Sequence, residues 1–368
     1  MFSCPTIRRR KEKRTVLNLL VNRRCFYVTS RERVKRCINY DRPDRCPMTL
    51  PEPYPNDISS AGISPDPEWK PWRTWESAEF RQWEDEWHNV WKAFPNTTRG
   101  EVIEGVIKDW SEVETYQMPR LDLPLRYDKP REIFATNPDK YRLGHLPGFP
   151  FAIMRYMRKI EVFLADVLLY PDEVNALQRK VVDLLKRCMD MWATTGADGI
   201  IFAEDWGTQE RLLVSPKTWH EMFEWGFREL VGHARSLGLD VWMHSCGYIK
   251  EIIPTLVDIG VKVLQLDQPK LSGLDFLARA CHGRTAIWAP IDIQRDLPTG
   301  DEAYIRACAR ELIDKLGSRG GGFICGYYGD VRSLGVKPEW QMWASDEFYK
   351  YATALSTSPP EQLPPIKH

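Results

Sequence analysis

Residues 244–247 read His-Ser-Cys-Gly, and the first and third of these can share a metal ion. Side chains at i and i+2 near a strand end point the same way. The His244 imidazole and Cys246 thiolate can therefore meet one ion, and nitrogen with sulfur favours Zn²⁺. A catalytic zinc takes about three protein ligands and keeps one position open. Cys325, ending a later apolar run, is the expected third ligand, and Glu204, Asp205 or Asp267 can complete the set. Zinc held in this way keeps an incoming thiol as thiolate, a nucleophile at neutral pH. The plainer alternative is a hydrogen-bonded histidine beside a small buried cysteine.

The stretch Glu204-Asp205-Trp206-Gly207-Thr208-Gln209 sets two carboxylates side by side. Each raises the other's pKa, so one can serve as a proton donor. Equally, the pair can accept backbone N–H groups and fix a loop. Gln209, Asp267 and Gln268 are candidate substrate contacts, as are Asp292 and Gln294, whose alternation also fits an Asx turn. Six tryptophans fall between 69 and 91, and Trp83, Trp87 and Trp91 stand at i, i+4 and i+8. That spacing predicts one helix face. It either packs on the core or forms an aromatic wall against a flat ligand, with Trp87 as a contact.

These residues need a scaffold that brings them together. Near-continuous apolar runs at 198–203, 240–243, 261–266, 285–289 and 322–325 alternate with helical patterns at 172–194, 216–237, 249–259, 274–281, 301–316 and 338–351. Such runs are the mark of parallel strands buried on both faces. Weaker strands are expected at 45–50 and 151–155. No glycine-rich phosphate loop follows a strand. Polar residues instead gather at successive strand ends, and they converge only if those ends lie side by side. The expected fold is α/β, a (β/α)8 TIM-type barrel with its site at the C-terminal face. It carries an N-terminal extension and a Trp-rich insertion after the first strand. The expected divisions are 1–28, a basic extension; 29–354, the barrel; and 355–368, a Pro-rich tail.

The chain has 368 residues, with 51 basic and 51 acidic side chains. The balance hides a split: residues 1–36 hold twelve basic and two acidic residues, leaving the remainder acidic by ten. A neutral total argues against a nucleic-acid binder driven by bulk charge. Nine scattered cysteines fit reduced thiols in a cytoplasmic protein better than a disulfide scaffold. No apolar run is long enough to span a bilayer.

At these motifs the sequence resembles the uroporphyrinogen decarboxylase superfamily, which also contains cobalamin-dependent methyltransferases acting on coenzyme M. The resemblance runs over about 29–351. It rests on Thr29-Ser30-Arg31-Glu32-Arg33-Val34 with Arg42-Pro43-Asp44-Arg45, Asp85-Glu86-Trp87, the 204–209 and 244–247 stretches, Ile291-Asp292-Ile293-Gln294 with Leu297-Pro298-Thr299-Gly300, and Gly321-Gly322-Phe323-Ile324. It implies a (β/α)8 barrel enzyme acting on a small molecule. The decarboxylases carry an Arg-Gln-Ala-Gly-Arg stretch whose arginines bind a polycarboxylate. Here the matching stretch, Pro51-Glu52-Pro53-Tyr54-Pro55-Asn56-Asp57, has no arginine. The zinc methyltransferases use H-x-C plus a distant cysteine, which His244 and Cys246 match; the third ligand usually falls a few residues beyond Cys325. The favoured expectation is zinc-assisted methyl transfer from a corrinoid carrier protein or small methyl donor to a thiol-type acceptor, by a possible homodimer. The alternatives are decarboxylation of a tetrapyrrole or aromatic acid, and a non-catalytic barrel that binds a tetrapyrrole or corrinoid.

Overall fold

The computed structural model describes residues 28–95, 100–329 and 334–356. Nearly all of the expected basic extension and most of the expected Pro-rich tail lie outside the described residues. The first strand, β1 (Ile58–Gly62), is followed by an antiparallel sheet of four short strands: β2 (Thr74–Glu76), β3 (Arg81–Glu84), β4 (Val90–Ala93) and β5 (Glu101–Glu104). The main sheet then continues with β6 (Tyr141–His145), β7 (Gly199–Ala203), β8 (Asp240–His244), β9 (Val263–Gln265), β10 (Ala286–Ala289) and β11 (Phe323–Cys325). Its order is β1-β6-β7-β8-β9-β10-β11, with every neighbouring pair parallel. This is an α/β barrel of the TIM type, with the tryptophan-rich sheet inserted after β1.

The ring closes through residues 47–49. Met48 bridges Cys325 in parallel, and Thr49 bridges Asn56. Thr49 N–H donates to the Cys325 carbonyl and Cys325 N–H to that of Pro47, both at 2.9 Å. The strand expected at 45–50 is thus a short bridged segment, and β1 follows the proline-rich stretch at 51–55. Pro51, Pro53 and Pro55 dominate the composition there and mask the short strand that follows.

Strand alternation sorts the barrel into two apolar layers. Ile58, Tyr141, Leu143, Ile201, Trp242, Val263, Ala286 and Ile324 fill the interior. Ile200, Phe202, Val241, Met243, Leu264, Ile287, Phe323 and Cys325 join the layer packed against the helices. The interior is stoppered at the N-terminal end by the helix Ser30–Ile38, which adds Val34, Cys37 and Ile38 to it. Thr29 caps that helix, accepting from Glu32 N–H at 3.1 Å. The Ser30 hydroxyl donates to Asp57 at 2.6 Å.

Three sequence expectations change. Residues 151–155 are helical, within Pro150–Arg158, because Pro150 opens a helix at its first turn. The strand that precedes it is β6. Trp83, Trp87 and Trp91 are not on a helix: Trp83 and Trp91 pair directly across the β3–β4 hairpin, their rings stacked at 6.1 Å. An eight-residue separation fits a hairpin as well as two helical turns. Asp85 shapes the turn by accepting from Trp87 and Asn89 N–H and from the Trp91 indole. Finally, the long helix expected over 216–237 is two, Pro216–Met222 and Glu224–Ser236, broken at Phe223.

Asp57 is 1% exposed and holds Arg33 at 2.8 Å and Arg45 at 2.9 Å. Removing one partner of a buried ion pair strands the others. Asp57→Ala should lower unfolding free energy by about 3–5 kcal/mol in urea titration; a loss within the range of a surface substitution would show that the cluster does not hold the barrel closed.

Candidate active site

The strand register sets the floor of the barrel mouth. Ala203 pairs with His244, His244 with Gln265, and Gln265 with Trp288. Trp242, two residues before His244, points inward, so His244 does as well. Each of these four side chains is half-buried, at the boundary between core and open mouth. Trp288 leans on Gly326, where a Cβ would stand 2.8 Å from the indole nitrogen, so no larger residue fits there. Its N–H donates to the Thr49 hydroxyl at 2.8 Å.

Beyond β8 the chain turns back and brings Cys246 beside His244, with Sγ 3.4 Å from Nε2. Asp205, two residues past β7, sits on the same spot. Its Oδ1 is 3.5 Å from His244 Nε2 and accepts from Cys246 N–H at 2.8 Å. One ligand atom from each of Asp205, His244 and Cys246 lies within 4.8 Å of the others. The other imidazole nitrogen, Nδ1, is hydrogen-bonded to Gln265 Oε1. Arg155, on the helix Pro150–Arg158, braces Asp205 from behind: its guanidinium donates to the Asp205 carbonyl at 3.2 Å and stands 3.5 Å from Oδ2.

Glu204 faces the opposite way. It is fully buried, and its two carboxylate oxygens accept from Phe151 N–H at 3.0 Å and Ala152 N–H at 2.9 Å. These are unpaired first-turn donors of the Pro150–Arg158 helix, where a carboxylate also meets the positive end of the helix dipole. Burial outweighs those hydrogen bonds and the pull of Arg155 and pushes the carboxyl up to about 8.

The profile of the family described as Uroporphyrinogen decarboxylase (URO-D) matches residues 94–327, well over half of the chain. The chain belongs to the uroporphyrinogen decarboxylase family. Among solved structures, a methyltransferase from Methanosarcina mazei is similar at 17% identity, covering 68% of this chain and 73% of that one, with a TM-score of 0.51. At that identity the likeness speaks for the fold. A D-tagatose 3-epimerase-like protein aligns at 11% identity over 65% of this chain and 86% of its own, with a TM-score of 0.40. No match was found among curated protein sequences.

In this family member the residues singled out by sequence divide into three groups. Asp205, His244 and Cys246 converge. Asp267 and Gln268 lie nearby, each tied to another side chain: Asp267 accepts from Gln265 at 2.8 Å, and Gln268 exchanges amide hydrogen bonds with Gln209 at 2.8 and 3.3 Å. Asp292 forms the Asx turn, accepting from Gln294 and Arg295 N–H, while the Gln294 side chain is exposed. Cys325 does not join His244 and Cys246. Ile324 points into the barrel, so Cys325 points out into the helix layer and meets Cys46. Burial and the Cys46 thiol push its pKa well up, against the thiolate a metal ligand must be. Asp205, one of the three residues expected to complete the set, lies beside His244 and Cys246 instead. Trp87 lies in the hairpin turn and packs its ring into the core.

Gln265 and Arg155 escaped the sequence reading. The signal for Gln265 was present, as a lone amide inside the apolar run Val-Leu-Gln-Leu. Arg155 was hidden by the wrong element: a helix, not a strand, carries it to Asp205.

Because the folded Glu204 carboxyl titrates near 8 and the free one near 4.5, the folded state keeps a proton the unfolded chain has released. This contribution to stability is complete below about pH 4.5 and is lost as the pH rises through about 8. Urea titrations across that range should show wild type losing stability relative to Glu204→Gln. Parallel pH profiles for the two proteins would contradict a raised carboxyl.

Proposed function

We propose that this family member transfers a methyl group to a thiol-type acceptor at a zinc ion held by Asp205, His244 and Cys246. The observation that carries the reading is the convergence of these three side chains at the C-terminal mouth of the barrel. Ligands at about 2.0–2.3 Å from a tetrahedral zinc stand about 3.3–3.8 Å apart. The His244–Cys246 and His244–Asp205 separations of 3.4 and 3.5 Å agree with that spacing. The donor set of nitrogen, sulfur and oxygen suits zinc, and three protein ligands leave a fourth position for substrate.

Bound there, zinc would supply Lewis acidity, favouring the thiolate form of an acceptor sulfur at neutral pH. The chain's own residues do the rest. Arg155 holds the Asp205 carboxylate in place, and the Cys246 N–H fixes its Oδ1. Trp288 and the Trp242 layer beneath close the barrel below the site and exclude water from that side. The methyl donor would be a corrinoid carrier protein or a small methylated compound reaching the open mouth. Glu204, both oxygens engaged by the helix start, serves to position that helix rather than to donate a proton.

Purified protein should contain about one zinc per chain by elemental analysis, and metal removal should abolish methylation of a thiol acceptor. His244→Ala and Cys246→Ala should each weaken zinc retention by more than about 100-fold, beyond the effect usual for an outer-sphere contact. A metal-free wild type that still methylates thiols would sink the reading.

A further inference from the structure

The contact between His244 and Gln265 leaves one question to chemistry: which ring nitrogen carries the proton. Gln265 answers it through its second partner. Its Nε2 donates to Asp267 Oδ1 at 2.8 Å, and Asp267 is 6% exposed. Asp267 Oδ1 accepts that hydrogen bond, so the amide turns its NH₂ toward Asp267 and its oxygen toward His244. An amide oxygen also only accepts, so the imidazole must present N–H at Nδ1. A neutral imidazole has a single N–H, which leaves the lone pair on Nε2. That nitrogen is the one 3.4 Å from Cys246 Sγ and 3.5 Å from Asp205 Oδ1.

We infer that Gln265 and Asp267 are positioning residues that lock His244 as its Nδ1–H tautomer and aim the Nε2 lone pair at Asp205 and Cys246. Backbone pairing supports the arrangement, since His244 and Gln265 are register partners on β8 and β9 and Asp267 follows two residues later. The direction of the relay depends on one asymmetry, the carboxylate. With a second amide in place of Asp267, Gln265 could face either way, and half of the orientations would put N–H against N–H. The consequence for metal binding rests on the zinc reading above; the tautomer does not.

The test therefore reads the tautomer in metal-free protein. Nitrogen-15 histidine labelling, with His244→Asn to identify the signal, distinguishes Nδ1–H from Nε2–H. Wild type should show His244 as Nδ1–H. Gln265→Leu and Asp267→Asn should each yield a mixture, and each should weaken zinc binding about 10–100-fold by chelator competition. The double variant Gln265→Glu with Asp267→Asn restores a carboxylate acceptor at Nδ1 and should restore the tautomer. Asp267→Asn preserves side-chain volume, so it carries the test should Gln265→Leu fail to fold. Wild-type His244 protonated at Nε2, or single variants with an unchanged tautomer, would overturn the relay. Wild type that shows Nδ1–H yet binds no zinc supports the relay and removes the zinc reading. Wild type that binds zinc with the other tautomer does the reverse.

Discussion

Asp57 joins three parts of the chain that the closed barrel must bring to one point. Its carboxylate accepts from Arg33 on the opening helix, from Arg45 ahead of the seam, and from Met48 N–H in the seam itself. It stands directly before β1, so the same residue fixes where the first strand begins. Charged groups removed from water lose several kcal/mol each unless hydrogen bonds satisfy them. Here Oδ1 takes Ser30, Arg33 and Arg45, and Oδ2 takes Arg45 and Met48. The opening helix is then held over the barrel end, where Val34, Cys37 and Ile38 complete an interior the strands alone leave open. A second buried carboxylate, Asp198 before β7, repeats the device on the other side with Arg31, Lys35 and Arg142. The fixed basal end lets the opposite end remain a mouth.

Closure also decides, by parity, which chemistry can meet. Once Trp242 is an interior residue, His244 must face the same axis, and Gln265 and Trp288 follow by register. Cys325 is one residue out of phase. Its neighbour Ile324 takes the interior position, so the thiol that ends β11 is directed away from the mouth. A one-residue offset separates a candidate ligand from a core residue, and no adjustment of side-chain rotamers bridges it.

The second half of the barrel was readable because its strands are apolar runs between helices with clear ends, such as Pro216 after Ser215 and Gly260 after Ile259. From that half the sequence pairs His244 with Cys246, but it expects Cys325 as their third ligand and offers Asp205 only as one of three residues to complete the set. The first half was opaque for definite reasons. β6, Tyr-Arg-Leu-Gly-His, carries an arginine and a glycine in the middle. Arg142 is spent on Asp198, and Gly144 is required because a Cβ there would stand 2.5 Å from the Trp192 ring. Both residues weaken the local strand signal and are explained only by tertiary partners. The tryptophan hairpin failed differently: its spacing fits two periodicities, and the Asp85 turn that decides between them depends on hydrogen bonds rather than on hydrophobic pattern.

Glu204 and Asp205 show how the fold assigns roles to two identical functional groups. Leaving β7, the backbone sends successive side chains to opposite sides. Glu204 goes into the layer behind the barrel wall, where the first turn of the Pro150–Arg158 helix offers two N–H groups that have no partner within the helix. Asp205 goes to the mouth, where Arg155 from that same helix meets it. The two carboxylates are thus coupled through one helix: Glu204 sets its start, and the start sets where Arg155 falls four to five residues later. A change at the buried carboxylate would reach Asp205 by displacing the helix rather than through charge repulsion. The adjacency that suggests an acid–base pair in the sequence is, in the fold, a division between the residue that places the helix and the residue the helix braces.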